Sequence, residues 1–493
     1  MSTKKPIRVR IAPSPTGYFH IGTARTALFN WLFVKKEAGA FILRIEDTDK
    51  ERSKIEFEQD ILENLKWLGL TWDEFYRQSE RTEIYEKYLR QLLKEGYAYY
   101  CFCTEEELEQ QRQASMVQGL STKYSGRCRN LTSDDTKQRH DQGQRSVIRL
   151  IIPEGKVVFN DLIRGKISSD PSLGGDIVIA KSLTEPLYNV AVVIDDFEMK
   201  ISHVIRGEDH ISNTPKQILL QKVLGFSHPT YSHLPLILDP DRSKMSKRHS
   251  ATSIREYREQ GYLPEALVNF LALLGWHPAA ESINSASFNS HSDPAVAGEE
   301  SQAKLREGSL KEQEIFNQEE LIQRFDISRV QKSGAIFNQK KLDWLNAQYI
   351  KKIPLDRLTE LVQAKNKKVV ELFRDRLERL IDFKNIEESI NEISNYDVAL
   401  LAWKDTPMTK IKENLEQAAV IINNAPEDQF TKEKLSTIFL ELGNKLGRGE
   451  LLWPLRVALS GKKESPSPFE LLEVLGKEES LKRIQEAIQK LDK

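Results

Sequence analysis

Arg8-Val9-Arg10-Ile11-Ala12-Pro13-Ser14-Pro15-Thr16-Gly17-Tyr18-Phe19-His20-Ile21-Gly22-Thr23 is the stretch on which the fold of this chain turns. A short apolar alternation runs into a Pro/Ser/Gly turn, and His20-Ile21-Gly22-Thr23 then opens a helical pattern. The N–H groups of a helix's first turn have no intrahelical partner, and the helix dipole favours an anion beside them. Strand, turn and helix start in this order therefore suit a phosphate. On this reading the first-turn N–H groups point outward, Gly22 lets a nucleotide lie against the backbone, and His20 donates to a phosphate oxygen. Standing alone, the stretch reads equally well as an ordinary strand-to-helix turn.

Working outward, residues 23–38 read as a helix with Ala24, Ala27, Leu28, Trp31 and Val34 on one face, and 41–45 as a buried strand. Strand–helix–strand of this kind makes a right-handed parallel unit. The second strand runs into Glu46-Asp47-Thr48-Asp49, at the sheet edge where α/β proteins bind ligands, and Glu46 there suits a substrate amine. Further strands are expected at 187–196, ending in Asp195 and Asp196, at 204–207 and at 234–238. After the last comes Lys244-Met245-Ser246-Lys247-Arg248, a mobile cationic clamp of the sort that stabilises charge on a leaving phosphate. Alone, such a basic run reads as a solvated loop.

Between the two strand groups lie the chain's 3 Cys, at 101, 103 and 128. Their odd number and clustering argue against a disulfide framework and for a tetrahedral Zn²⁺, with Tyr124, Asn130, Asp134 or His140 as fourth ligand. Residues 147–151, 156–159 and 176–179 alternate like one small sheet, inserted between two halves of the α/β domain. Residues 279–313 are polar and non-periodic, which reads as an exposed, mobile insertion. From 319 onward the pattern is helical, over 355–380, 398–403, 412–422, 434–446 and 481–491, as in a helical bundle.

At 493 residues the chain is too long for one core. Its 72 basic and 73 acidic residues nearly cancel, which neither singles out nucleic acid as a partner nor excludes it, because a basic face can be balanced elsewhere. No apolar run is long enough for a bilayer, and no apolar segment follows Met1, so a cytoplasmic location is expected.

Two signatures stand in order on a split α/β domain. His20-Ile21-Gly22-Thr23 and Lys244-Met245-Ser246-Lys247-Arg248 resemble those of class I aminoacyl-tRNA synthetases. The opening run from Arg8 to Gly17, Leu43-Arg44-Ile45-Glu46-Asp47-Thr48-Asp49, Val204-Ile205-Arg206-Gly207-Glu208-Asp209-His210, Lys341-Leu342-Asp343-Trp344-Leu345-Asn346 and Trp453-Pro454-Leu455-Arg456-Val457-Ala458-Leu459-Ser460-Gly461 narrow the resemblance to bacterial glutamyl-tRNA synthetases. The resemblance implies a fold of α/β plus all-α class. A Rossmann-type parallel-sheet catalytic domain is split into 1–100 and 186–255 around an inserted α+β acceptor-binding domain, 101–185. A helical stem-contact domain, 256–330, carries the 279–313 insertion, and a helical anticodon-binding domain spans 331–493.

The reaction implied is activation of L-glutamate by ATP with Mg²⁺, then transfer to the terminal adenosine of tRNA(Glu), by a monomer. His20, Lys244 and Lys247 would be catalytic; Thr16, Gly17, Gly22, Thr23 and Ser246 would complete the ATP site. Arg10 and Arg206 would grip a carboxylate, Glu46 the amine, and Ala12, Ser14, Tyr188 and Val192 would line the pocket. A competing role for Arg206 is an ion pair with Glu208 or Asp209. Arg376, Arg379 and Arg456 would contact tRNA. Zinc-bearing relatives end their site in Cys-x-His, but Asn130 stands at the His position here. A related truncated class uses a Tyr four residues before its last Cys, which favours Cys101, Cys103, Tyr124 and Cys128. The resemblance leaves open charging of tRNA(Gln) as well. Glutaminyl-tRNA synthetase fits less well, because the C-terminal half is helical and not β-barrel. A non-catalytic RNA-binding paralogue would be expected to have lost some of the cleft residues present here.

Overall fold

The computed structural model describes residues 6–119, 121–245, 252–279, 314–391, 393 and 396–492. The chain divides into two compact units, Met1–Glu259 with Pro264–Leu342, and Gln260–Leu263 with Asp343–Lys493.

In the first unit, β1 (Arg8–Ile11), α1 (Ile21–Lys36) and β2 (Ala40–Ile45) form the expected parallel unit, and α2 (Ile55–Trp67) leads to β3 (Glu74–Arg77) beside β2. Helix α1 is buried on most sides, with Ile21, Ala24, Ala27, Leu28, Leu32 and Val34 all at 0% exposure. It can turn tightly into β2 because Gly39 has no side chain; a Cβ there would stand 2.2 Å from the Ile7 carbonyl oxygen. Across β1 lies β10 (His203–Gly207), approached through Ser202, whose N–H donates to the Arg8 carbonyl at 2.9 Å. Next comes β11 (Thr230–Leu234), parallel to β10 with Arg206 opposite His233. The order from β3 through β2 and β1 to β10 and β11 reverses direction at β1, which makes the β1/β10 crevice the topological switch point.

The chain between β3 and β10 departs from its sequence pattern in two ways. The apolar run 187–196 is not a strand: it forms α6 (Tyr188–Glu198), packed against α3 (Thr82–Lys94) and α7 (Thr214–Leu224). A short run that is buried all round carries no periodicity to separate helix from strand, and packing against two helices decides it. Nor do the three alternating segments share one sheet. β4 (Ala98–Cys101), β5 (Val147–Leu150), β8 (Ile177–Ser182) and β9 (Glu185–Pro186) form one antiparallel sheet. The hairpin of β6 (Val157–Asp161) and β7 (Gly165–Ser169) instead joins β11, Asp161 opposite Tyr231. The 279–313 insertion falls, from residue 280 on, outside the described residues.

The second unit is helical. Helices Met408–Asn424, Lys432–Leu446, Arg448–Ser460 and Pro468–Leu491 enclose Leu415, Phe439, Leu455, Leu472 and Ile484, each at 0% exposure. The 355–380 pattern is interrupted into Leu355–Leu361 and Lys367–Phe373: Gln363 adopts φ 55°, and Asn366 caps the second helix by accepting the Lys368 N–H. Residues 398–401 form only a short 3₁₀ turn. Among the described residues, no helix is long and apolar enough to cross a membrane.

Candidate active site

A cleft of about 610 Å³ opens at the switch point. Arg10, Ile11, Ala12, Pro13 and Ser14 line it from β1 and its turn, Ile205, Arg206 and Gly207 from β10, and Glu46 from the end of β2. His20, Gly22, Thr23, Tyr188 and Lys244 complete the walls on which sequence reasoning had settled. Val192 lies elsewhere: at 1% exposure it packs in the apolar core with Ile148, Ile179 and Leu220. Ser246, Lys247 and Arg248 lie outside the described residues.

One end of the cleft is a chain of alternating charges. Asp196, on α6, receives Arg10 Nε at 3.1 Å and Arg44 Nη1 at 2.8 Å. Arg44 reaches onward, Nη2 to Glu46 Oε1 at 3.0 Å and Nε to 3.7 Å from Asp195 Oδ2. Arg44 and Asp195 are fully buried, Arg10 and Glu46 nearly so. The two acids anticipated at a strand tip are thus inward-facing helix residues that neutralise buried guanidinium groups. Burial alone would raise the Asp196 pKa, but Arg10 and Arg44 outweigh it and hold the carboxyl below its ordinary range. For Glu46 burial prevails over the Arg44 and Arg10 attractions, and its pKa is raised.

Arg206, on β10, is not engaged by the acids next to it in sequence. Glu208 pairs with Arg164 and accepts the Leu236 N–H at 2.7 Å. The Arg206 guanidinium instead gives Nε to His233 Nε2 at 3.2 Å and Nη2 to Thr214 Oγ1 at 2.7 Å. Its Nη1 is buried and, among the described residues, has no hydrogen-bond partner. A buried guanidinium nitrogen left without an acceptor on a cleft wall has a charge-assisted hydrogen bond still to give. Tyr188 donates to or accepts from His210 Nδ1 at 2.9 Å; burial, with Arg206 nearby, lowers the His210 pKa to about 4, so this ring is neutral at physiological pH.

The other end is the start of α1. Here the open first turn anticipated from the sequence is partly closed: Ile21 N–H donates to the Thr252 carbonyl at 2.8 Å and Gly22 N–H to His20 Nδ1 at 3.0 Å. The cause is tertiary, since the 252–254 segment runs back along the helix start. Accepting at Nδ1 makes Nε2 the donor nitrogen of a neutral His20. A Cβ on residue 22 would stand 3.3 Å from Nδ1, a tight contact that would press the ring back by a few tenths of an ångström. Thr16 and Gly17 occupy the preceding turn, where Thr16 N–H donates to the Ser14 carbonyl at 2.9 Å. Lys244, exposed, is held by a bridge to Leu238.

Away from this cleft, Cys101, Cys103 and Cys128 bring their sulfurs within 4.8 Å of one another. The Tyr124 hydroxyl lies 3.3 Å from Cys101 Sγ and 3.5 Å from Cys103 Sγ, and Cys103 and Cys128 Sγ are 3.6 Å apart. A tetrahedral Zn²⁺ with ligand bonds of ~2.3 Å sets its sulfurs ~3.8 Å apart, so the set fits. Of the other candidates, His140 is turned away: it packs against Tyr100 and Phe102 and bonds Ser146 Oγ at 3.0 Å, while Asn130 and Asp134 are exposed. Arg149 lies 4.1 Å over the Tyr124 ring and so places a cation beside the cluster.

In the helical unit, Arg376 pairs with buried Glu470 at 2.8 Å, Arg379 with Asp382 at 3.3 Å, and Arg456 packs 4.6 Å over the Trp453 ring. All three therefore have structural work within that unit. Asp209, His210 and Asn213 also line the cleft; the first two close the Val204–His210 motif but were given no place in the pocket, and Asn213, three residues beyond it, carried no signal of its own.

Residues 6–344 match the family described as class I tRNA synthetases (E and Q), catalytic domain, and 337–488 match an anticodon binding domain. The chain is 43% identical to glutamate–tRNA ligase 2 of Thermoanaerobacter pseudethanolicus, over 99% of each sequence. It is 42% identical to glutamate–tRNA ligase of Aquifex aeolicus, over 98% of this chain and 99% of that one. A crystal structure of a glutamate tRNA ligase from Elizabethkingia meningosepticum superposes with TM-score 0.79 and 33% identity, covering 98% of this chain and 99% of the other.

Proposed function

The chain belongs to the class I glutamate–tRNA ligases, and from that premise we propose how its cleft divides the work. The reaction uses ATP with Mg²⁺. A glutamate α-carboxylate oxygen attacks the α-phosphorus of ATP, releasing pyrophosphate; a ribose hydroxyl of the terminal tRNA adenosine then attacks the carbonyl carbon, releasing AMP. Positioning and charge stabilisation carry such a reaction. Arg206 takes the substrate's side-chain carboxylate, with Arg10 beside it; Glu46 takes the ammonium. Ala12, Ser14 and Tyr188 form the walls. His20, with Thr16, Gly17, Gly22 and Thr23, faces the ATP phosphates, and Lys244, Ser246 and Lys247 are the residues that bind the departing pyrophosphate. The observation that carries this reading is the buried, unpartnered Nη1 of Arg206 on the cleft wall.

Residues 101–185 grip the acceptor end, 256–330 follow the stem, and 331–493 read the anticodon, with Arg376, Arg379 and Arg456 as contacts. Cys101, Cys103, Tyr124 and Cys128 hold a structural Zn²⁺ that fixes the segment around β4. The protein works in the cytoplasm as a monomer. Pyrophosphate exchange into ATP, driven by L-glutamate and measured with and without tRNA(Glu), tests the whole reading. Exchange in at least one condition supports it, and none in either refutes it.

Two outcomes follow for single residues. Losing a charge-assisted hydrogen bond costs about 1.5–3 kcal/mol, so Glu46→Gln raises the KM for glutamate about 10–100-fold. In the unaltered enzyme that KM rises as pH falls through the Glu46 pKa, which burial places above the ordinary carboxylate range; in Glu46→Gln the acid limb is absent. Elemental analysis of the purified protein finds about one zinc per chain, and Cys103→Ser loses it.

A further inference from the structure

We propose that His233, oriented by Asp161, is the positioning residue that fixes the Arg206 guanidinium with Nη1 free for the substrate carboxylate. The proposal rests on Arg206 being that carboxylate's receptor, and adds what sets its aim.

The geometry determines the histidine's proton. His233 is fully buried opposite Arg206 on the neighbouring strand. Its Nδ1 lies 2.7 Å from Asp161 Oδ2, and its Nε2 lies 3.2 Å from Arg206 Nε and 3.1 Å from Thr214 Oγ1. A carboxylate only accepts and Arg Nε–H only donates. Both are satisfied by one form alone: neutral imidazole with its proton on Nδ1 and its lone pair on Nε2. Burial lowers the His233 pKa; the Asp161 hydrogen bond opposes this, Arg206 reinforces it, and the net result favours the neutral ring. With Nε committed to His233 and Nη2 to Thr214, the guanidinium plane is fixed from two sides, and only Nη1 is left over.

Asp161 is itself fixed. Its Oδ1 accepts the N–H groups of Ile163 (2.9 Å) and Arg164 (2.8 Å), in the turn between β6 and β7. Only Oδ2 is left for the histidine. Beside the ring lie Tyr231, parallel to it at 6.2 Å between ring centres, and Phe159 at 6.3 Å, so its surroundings on these sides are apolar faces that offer no competing polar partner. Arg164 closes the arrangement by pairing with Glu208, which keeps that carboxylate off Arg206.

The tautomer argument supplies a substitution that keeps shape. In Asp161→Asn the amide oxygen stays with the two turn N–H groups, which need an acceptor. The NH₂ then faces His233 Nδ1 and forces the proton onto Nε2, N–H against N–H with Arg206. The full-length enzyme is assayed by pyrophosphate exchange with tRNA(Glu), varying glutamate at saturating ATP and ATP at saturating glutamate, with melting temperature followed in parallel. For Asp161→Asn and His233→Phe, a rise of about 10-fold in the glutamate KM is expected, the size of one lost charge-assisted hydrogen bond, with the ATP KM unchanged. His233→Gln, whose amide oxygen reaches the place of Nε2, recovers most of that loss. If these variants lower the melting temperature but leave the glutamate KM as it was, while Arg206→Leu raises it, the residues merely tie the hairpin to the sheet and the proposal is overturned. If Arg206→Leu also leaves the glutamate KM unchanged, Arg206 is not the carboxylate receptor and the underlying reading fails with it.

Discussion

With leucine in place of Arg206, kcat/KM for glutamate falls about 10²–10³-fold, because truncating one partner of a buried charge pair costs about 2–5 kcal/mol. The loss resides in the KM for glutamate, not ATP, since the role proposed for Arg206 is to hold the glutamate side chain. Stability changes little by comparison. Leucine leaves no unpaired charge behind, and only His233 Nε2 and Thr214 Oγ1 lose a donor. Arg206→Lys keeps the charge but not the fork, so it cannot serve His233, Thr214 and a carboxylate together; it recovers only part of the loss. Steady-state exchange kinetics on the three proteins check this.

Asp196→Ala acts on the fold first. Arg10 and Arg44 are 3% and 0% exposed, and both lean on this one carboxylate. Removing one partner of a buried pair costs about 3–5 kcal/mol, and here two guanidinium groups lose an anion at once. Denaturant unfolding of the variant shows a loss in that range, accompanied by a raised glutamate KM, because Arg10 and Glu46 are set by the same chain of charges. The pH dependence has a definite sign. The Asp196 pKa is depressed in the folded protein, so its contribution is complete above the ordinary carboxylate range and is lost only as pH falls through the lowered value. The difference in stability between the unaltered protein and Asp196→Ala therefore shrinks in acid.

What could be read from the sequence was local. Residues 8–23 specified strand, turn and helix because their patterning and punctuation are contiguous, and the strand expected at 41–45 is β2 (Ala40–Ile45). What could not be read depended on partners far away in the chain. Thr252 closes the start of α1, although nothing near residue 21 announces it. Residues 190–196 are buried without a break, which erased the period that would have marked a helix. Arg44 looked like part of a motif, and only the fold shows it buried between Glu46 and Asp196. For Arg206 the sequence offered Glu208 and Asp209 as neighbours; Arg164, forty-four positions from Glu208, is what removes the first of them.

The β6–β7 hairpin has a bearing on how this protein can be recombined with its relatives. Residues 101–185 look like a cassette, entering and leaving between two halves of one sheet. Yet Val157–Ser169 carries two strands of the sheet that holds Arg206 and His233, and with them Asp161. A chimaera made by exchanging 101–185 as one block would import a foreign aspartate environment into the recipient's glutamate pocket along with the surface meant to be exchanged. The portable parts are two, one ending before Val157 and one beginning after Ser169, and the hairpin between them travels with the recipient.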